Sequence, residues 1–191
     1  MTQTNTERLY SFEEYLVYDD GTDSRYELVD GKLERMNPPT FRHLLLAKFI
    51  EQTFDTEINR LSLPWLCFRE AGVRTGWQKS RLPDVYVVTA EQVMEFLDES
   101  AVCQSVPLLV VEVVSIDSVK RDYRYKRSEY AALEIPEYWI VDPIESKITI
   151  LLLEDGLYEE KEFSKNQQIV SATFPKIVLT VEQVLAAGNV G

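Results

Sequence analysis

The sequence has little of what the commoner enzyme chemistries are built from. Its seven glycines are scattered, and none forms the glycine-rich loop whose N–H groups cradle a nucleotide's phosphates. There is no Gly-x-Ser-x-Gly elbow, neither cysteine lies in a charged context, and His43 is the only histidine. A Ser–His–Asp or Cys–His hydrolase therefore lacks its parts. The two cysteines, Cys67 and Cys103, show no metal-ligand spacing and suit a reducing interior. No apolar run approaches the roughly 18 residues of a membrane span. The opening residues, Met-Thr-Gln-Thr-Asn-Thr-Glu-Arg, have neither the basic start nor the apolar core of a secretion signal. A cytoplasmic protein without membrane attachment is expected.

Positive charge is scarce too. With 32 acidic and 20 basic side chains the net charge is −12, which excludes indiscriminate coating of nucleic acid. The scarcity is uneven, however. Acids gather in 91–99 and 154–162, whereas Lys120-Arg-Asp-Tyr-Arg-Tyr-Lys-Arg127 concentrates five basic residues. An acidic body with one basic patch leaves room for a local nucleic-acid footprint.

What is present suits one globular domain over residues 1–191, with 1–8 as a flexible leader: 191 residues, 45% hydrophobic and 27% charged, are enough for a substantial core. Ser11, with Glu14 three residues on, caps a short helix. Tyr26–Met36 reads as a hairpin around Asp30-Gly31, which tolerates the positive φ of a tight turn. Apolar positions 44, 45, 49, 50, 54 and 58 recur at helical spacing and predict a long amphipathic helix from Phe41 to Leu61. Strands follow at 65–70 and 73–77, then a loop at 78–82, a strand from Pro83 to Val88 and a short acidic helix or loop at 91–99. Pro107-Leu-Leu-Val-Val-Glu-Val-Val-Ser115 is a strand buried on both faces. A helix over about 117–133 and a strand at 136–142 complete a right-handed βαβ crossover with parallel strands. Segments 147–153, 158–163 and 176–179 read as antiparallel strands, and 180–187 as a closing helix.

Within this frame four sets of side chains can carry chemistry. Glu112 is an acid in an otherwise apolar strand, an expensive placement unless a cation or strong donors meet it. Asp84 stands at the mouth of another strand. Such a carboxylate pair suits a hard divalent ion, whose shell water and phosphate complete. Asp122, Lys126 and Tyr130 fall on one stripe of the helix after the Glu112 strand. A lysine there can orient a metal-bound water and stabilise a phosphorane's charge, or simply neutralise Glu112 in a buried salt bridge. Glu27 is the acid of an apolar-leaning strand, and spacing alone makes it structural. His43 lies near a helix N-terminus, which favours the neutral imidazole.

Tyr26-Glu-Leu-Val-Asp-Gly31, His43, Leu82-Pro-Asp-Val-Tyr-Val-Val88, Leu108–Ser115, Asp122-x-x-x-Lys126-x-x-x-Tyr130 and Ile135–Pro143 together resemble the Uma family of restriction-endonuclease-like proteins, within the PD-(D/E)XK nuclease superfamily. The resemblance runs from about Phe12 to Leu185. It implies a mixed α/β (α+β) fold: a restriction-endonuclease-like core with a mixed central sheet flanked by helices and additional antiparallel strands. It also implies a Mg²⁺ site, with Mn²⁺ as a substitute, held by Asp84 and Glu112. Glu27 becomes an extra acid near that metal, with His43, Asp122 and Tyr130 flanking it. The superfamily's lysine belongs two positions after the second acid, where this chain has Val114; Lys126 is its best replacement. A homodimeric endonuclease acting on DNA is expected, with Arg121, Arg124 and Arg127 approaching phosphates. The alternative is a non-catalytic dimeric module that binds nucleic acid or protein.

Overall fold

The computed structural model describes residues 8–190. Seven of the eight leader residues therefore lie outside the described residues. Short helix α1 (Phe12–Leu16) opens on the Ser11–Glu14 capping box, with both reciprocal hydrogen bonds made. Strands β1 (Tyr26–Val29) and β2 (Lys32–Arg35) form the expected hairpin, with φ of 49° at Asp30 and 79° at Gly31. Helix α2 (Phe41–Leu61) has the expected bounds and is capped by Thr40. Leu46, Ala47, Ile50, Phe54 and Ile58 form its buried stripe.

The chain then builds two sheets. Strands β3 (Trp65–Phe68), β4 (Gly72–Gly76), β5 (Lys79–Arg81), β6 (Val85–Thr89), β7 (Val102–Cys103), β8 (Leu109–Val113), β9 (Glu137–Asp142), β10 (Lys147–Glu154) and β11 (Leu157–Ser164) divide between them. One sheet runs β2-β1-β5-β4-β7 and the other β11-β10-β9-β8-β6-β3. The only parallel pair of the second sheet is β8 with β9, the crossover read from the sequence. Its other pairings are antiparallel, so this central sheet is mixed.

Three expectations need correction. Segment 78–82 is not a plain loop: Lys79–Arg81 is β5, which pairs with both β1 and β4. Segment 176–179 is not a strand. Nearby, only an isolated bridge joins Gln168 to Thr180, and the Ile169 N–H donates to the Leu179 carbonyl. The helix after β8 is not uniformly α. Residues Arg121–Lys126 form a π-turn, and α4 (Arg127–Ala132) continues it. Elsewhere the acidic segment yields α3 (Ala90–Met94), and Thr180 caps α5 (Val181–Ala186).

The period of two along the central strands sorts their side chains by face. Val85, Val87, Val111, Val113, Trp139 and Val141 join α2 and the C-terminal segment in one core. Tyr86, Val88, Val110, Val114, Tyr138 and Ile140 join Val73 of β4 and Tyr130 of α4 in the other. By that alternation Asp84 and Glu112 share the second face, below the π-turn and the smaller sheet. Among the described residues no helix is long and apolar enough to cross a membrane.

Candidate active site

Strands β6 and β8 pair antiparallel with Val85 opposite Val111, so the register brings Asp84 level with Glu112. Asp84 is fixed from two sides. Its Oδ2 accepts the Val113 N–H at 2.6 Å, and its Oδ1 lies 2.7 Å from Nε2 of His43. The imidazole reaches it because Thr40 starts α2 there and its hydroxyl accepts the His43 N–H. Burial pulls the His43 pKa down, but the hydrogen bond and charge of Asp84, with Asp122 adding to them, raise it above its ordinary value. The helix N-terminus is thus overruled, and His43 is held toward its protonated form.

Glu112 is 3% exposed and has two donors: the Tyr130 hydroxyl at 2.6 Å from Oε1 and Lys126 Nζ at 2.7 Å from Oε2. Lys126 is itself 1% exposed. Its ammonium meets three carboxylates, with Glu27 Oε1 at 3.5 Å and Asp122 Oδ1 at 3.8 Å beyond Glu112. Burial acts against the charged lysine, yet Glu112, Glu27 and Asp122 together hold its pKa above the ordinary value. Lys126 is therefore a cation and a donor. Burial pushes the Glu112 pKa above the ordinary carboxylate range and repulsion from Asp84 and Asp122 adds to this, while the Lys126 ammonium opposes it and keeps a donor on the carboxylate.

The π-turn explains how one helix delivers three buried side chains. An i→i+5 turn is wider than an α turn, so residues four apart do not drift around the axis in the usual sense. Asp122, Lys126 and Tyr130 are all buried on one side. Ser118 donates its hydroxyl to Oδ2 of Asp122. Oδ1 of Asp122 is buried without a hydrogen-bond partner, as is Nε of Arg121 beside it at 3.9 Å.

Glu27 proves to be fully buried and central. Its Oε1 accepts the Leu82 N–H at 3.1 Å and its Oε2 accepts Nη1 of Arg81 at 2.8 Å. Burial alone would raise its pKa, but Lys126 and Arg81 bring it down to about 2. Arg81 escaped the sequence reading. Its guanidinium also grips Glu129 bidentately, at 2.7 and 2.6 Å. A lone arginine in a polar tripeptide carries no local signal of this. The partners that bury it lie 54 and 48 residues away.

Asp84, Glu112, Asp122 and Lys126 line a cleft of about 930 Å³ with His43 and Arg121. Tyr130 stands behind Glu112, and Glu27 behind Lys126. Of the other two basic-helix arginines, Arg124 is exposed and off the cleft. Arg127 is tied to the Glu160 carboxylate and, at 3.0 Å, to the Tyr158 carbonyl.

The donor set fits a hard divalent cation. Asp122 offers a buried oxygen with no hydrogen bond among the described residues, which Lys126 and Arg121 approach only to 3.8 and 3.9 Å. Each oxygen of Asp84 and Glu112 accepts one hydrogen bond and so retains a lone pair. Among the described residues, no group of three or more histidine, cysteine, aspartate or glutamate side chains is disposed to hold an ion by itself. A hard ion here would take few protein oxygens, with water and phosphate completing its shell.

No curated protein matches the sequence. Among solved structures, the fold is shared with a "putative nuclease belonging to DUF820" from Anabaena variabilis ATCC 29413, at TM-score 0.78 and 15% identity over 94% of this chain and 99% of that one. At that identity the likeness establishes the restriction-endonuclease-like fold. The family relation comes from the sequence itself, since the Uma2 family, described as "Putative restriction endonuclease", is matched from residue 12 to residue 182. That span runs from α1 into α5 and contains every residue of the cleft cluster, so the chain belongs to the Uma2 family of restriction-endonuclease-like proteins.

Proposed function

We propose that this chain is a Mg²⁺-dependent endonuclease that hydrolyses phosphodiester bonds of DNA. Asp84 and Glu112 hold the ion, and Mn²⁺ substitutes for it. One observation carries the reading: Lys126, from a helix, places its ammonium 2.7 Å from Glu112, on the strand beside Asp84. That contact supports Lys126 as the lysine of an acid–acid–lysine combination, in place of the usual position, which Val114 occupies. The bound ion supplies Lewis-acid charge to the phosphoryl oxygens and lowers the pKa of the attacking water.

Lys126, held as a cation, donates to that water and to the charge that builds on phosphorus. It is not the group that takes the water's proton. His43 and the Val113 N–H fix the direction of Asp84, and Tyr130 fixes that of Glu112. Glu27 holds the far side of the ammonium. Hydrolysis then forms the new oxygen–phosphorus bond and breaks one ester bond; the attacking water gives its proton up to bulk water, and the leaving alkoxide takes one from bulk water.

Cleavage of plasmid or branched DNA with Mg²⁺ or Mn²⁺ tests the proposal. Wild-type protein nicks the DNA, while folded Asp84→Ala, Glu112→Ala and Lys126→Met variants lose at least about a hundredfold in rate, the scale of one preorganised catalytic group. Undiminished cleavage by the Asp84→Ala and Glu112→Ala proteins would refute it. A wild-type chain that binds DNA without cutting it would support the non-catalytic module instead.

A further inference from the structure

The cleft has an acidic floor, but one lip is of opposite character. Arg35 ends β2 and Arg42 lies in the first turn of α2. Both are exposed and both line the cleft. Neither makes a hydrogen bond or an ion pair among the described residues, unlike two other arginines of the lining. Arg25 donates to the Glu70 carbonyl at 2.8 Å, and Arg69 reaches Glu51 at 2.6 Å. The link between the pair, Asn37-Pro38-Pro39, also lines the cleft, and proline locks φ at two of its positions. Between Pro39 and Arg42, Phe41 is 86% exposed, just outside the lining, where a strand leaving the cleft past Arg42 would meet it. A phenyl ring exposed beside Arg42, on a protein of net charge −12, suits a partner that is both anionic and aromatic.

Resting on the nuclease reading above, we propose that the Arg35–Arg42 lip is the substrate track. Arg35 and Arg42 bind backbone phosphates, and Phe41 stacks on a base that is unpaired. The substrate is therefore a nucleic acid with single-stranded character at the cleft, such as a flap, a gap edge or a free strand. A groove that pairs backbone-tracking cations with an aromatic platform is how proteins hold single strands without reading their sequence. The basic helix contributes less: of its arginines only Arg121 lines the cleft, 3.9 Å from Asp122, while Arg127 is spent on Glu160 and the Tyr158 carbonyl and Arg124 lies off the cleft.

Binding can be measured apart from cleavage. Fluorescence anisotropy in chelator, over a series of salt concentrations, compares a labelled single strand with the same sequence as a blunt duplex. The wild-type protein is expected to prefer the single strand. Arg35→Ala/Arg42→Ala lowers the slope of log K against log salt by about 1.4, two phosphates' worth for a single strand. Phe41→Ala weakens single-strand binding about fivefold or more and leaves duplex binding unchanged, as loss of one stacked base requires. An unchanged slope in the double variant, with a reduced slope in Arg124→Ala/Arg127→Ala, would overturn the track and leave the nuclease reading intact. Equal loss on both probes for Phe41→Ala would overturn the unpaired base. A wild-type protein that binds neither probe would overturn the track and the nucleic-acid reading together, leaving the lip as a protein-binding surface.

Discussion

Arg81 is the residue whose removal reaches furthest into the site. Arg81→Met deletes one charged hydrogen bond to Glu27 and two to Glu129 while keeping much of the side-chain volume. The two acids fare differently. Glu129, with 13% of its side chain exposed, retains the Thr75 hydroxyl at 3.3 Å and some access to water. Glu27, with none exposed, keeps only the Leu82 N–H and the longer contact to Lys126, so its Oε2 is left charged in a dry interior. Breaking a buried pair by removing one partner costs about 3–5 kcal/mol. For a domain of this size that is on the order of 10 °C in melting temperature. Urea unfolding measures the loss as a lower midpoint at unchanged slope. Arg81→Met/Glu27→Gln removes the stranded charge and is expected to recover about half the loss. A loss under about 1 kcal/mol, the value of an exposed pair, would refute the claim that Arg81 holds Glu27. So would a double variant no more stable than Arg81→Met alone.

Two further predictions follow from the same cluster. Glu27 has a native pKa of about 2 against an ordinary 4.5, so its contribution to stability is present above about pH 4.5 and is lost as pH falls toward 2. The difference corresponds to about 3 kcal/mol, and melting curves of wild-type and Glu27→Gln protein should converge toward pH 2–3; parallel curves across that range would contradict the assignment. Mn²⁺ or Mg²⁺ at about a hundred times its dissociation constant should stabilise the protein by about 2.7 kcal/mol, read by scanning fluorimetry. That shift should vanish in Asp84→Asn and Glu112→Gln and persist in Arg124→Ala; an undiminished shift in the first two would place the ion elsewhere.

Much of this was legible in the sequence because local signals and tertiary roles agreed. The apolar period of Phe41–Leu61, the Asp30-Gly31 turn and the strand–helix–strand order around Glu112 each specify their element with no distant partner. Asp84 and Glu112 stood out because a carboxylate in or beside an apolar strand requires an explanation. What stayed hidden lacked a local cause. Lys79–Arg81 is polar and three residues long, and it becomes a strand because β1 and β4 flank it. Glu27 reads as no more than a structural acid on spacing alone, because its cations come from β5 and from the π-turn, far along the chain. The π-turn carries no residue pattern of its own. It was inferred as regular helix because the stripe 122, 126, 130 fits either geometry. The 176–179 segment had a strand's composition but finds no strand to pair with.

Lys126 and Glu112 meet through tertiary packing rather than through adjacency on one strand. A nuclease that carries acid and lysine in the same strand inherits both with a few contiguous residues. Here the two groups are joined through segment 114–120, in which Val114 is fixed in the core and Ser118 holds Asp122, so the spacing between acid and lysine is set by packing rather than by strand geometry. Asp84 and Glu112 belong to the hydrogen-bonded sheet and its mouth, whereas the ammonium rides on a non-α turn held by burial, by its three acids and by side-chain hydrogen bonds from Ser118, Tyr123 and Tyr138. Local opening of that turn would remove the cation while leaving Asp84 and Glu112 where they are. On the proposed function, ion affinity and hydrolytic competence would then be separable properties, each open to loss or tuning on its own.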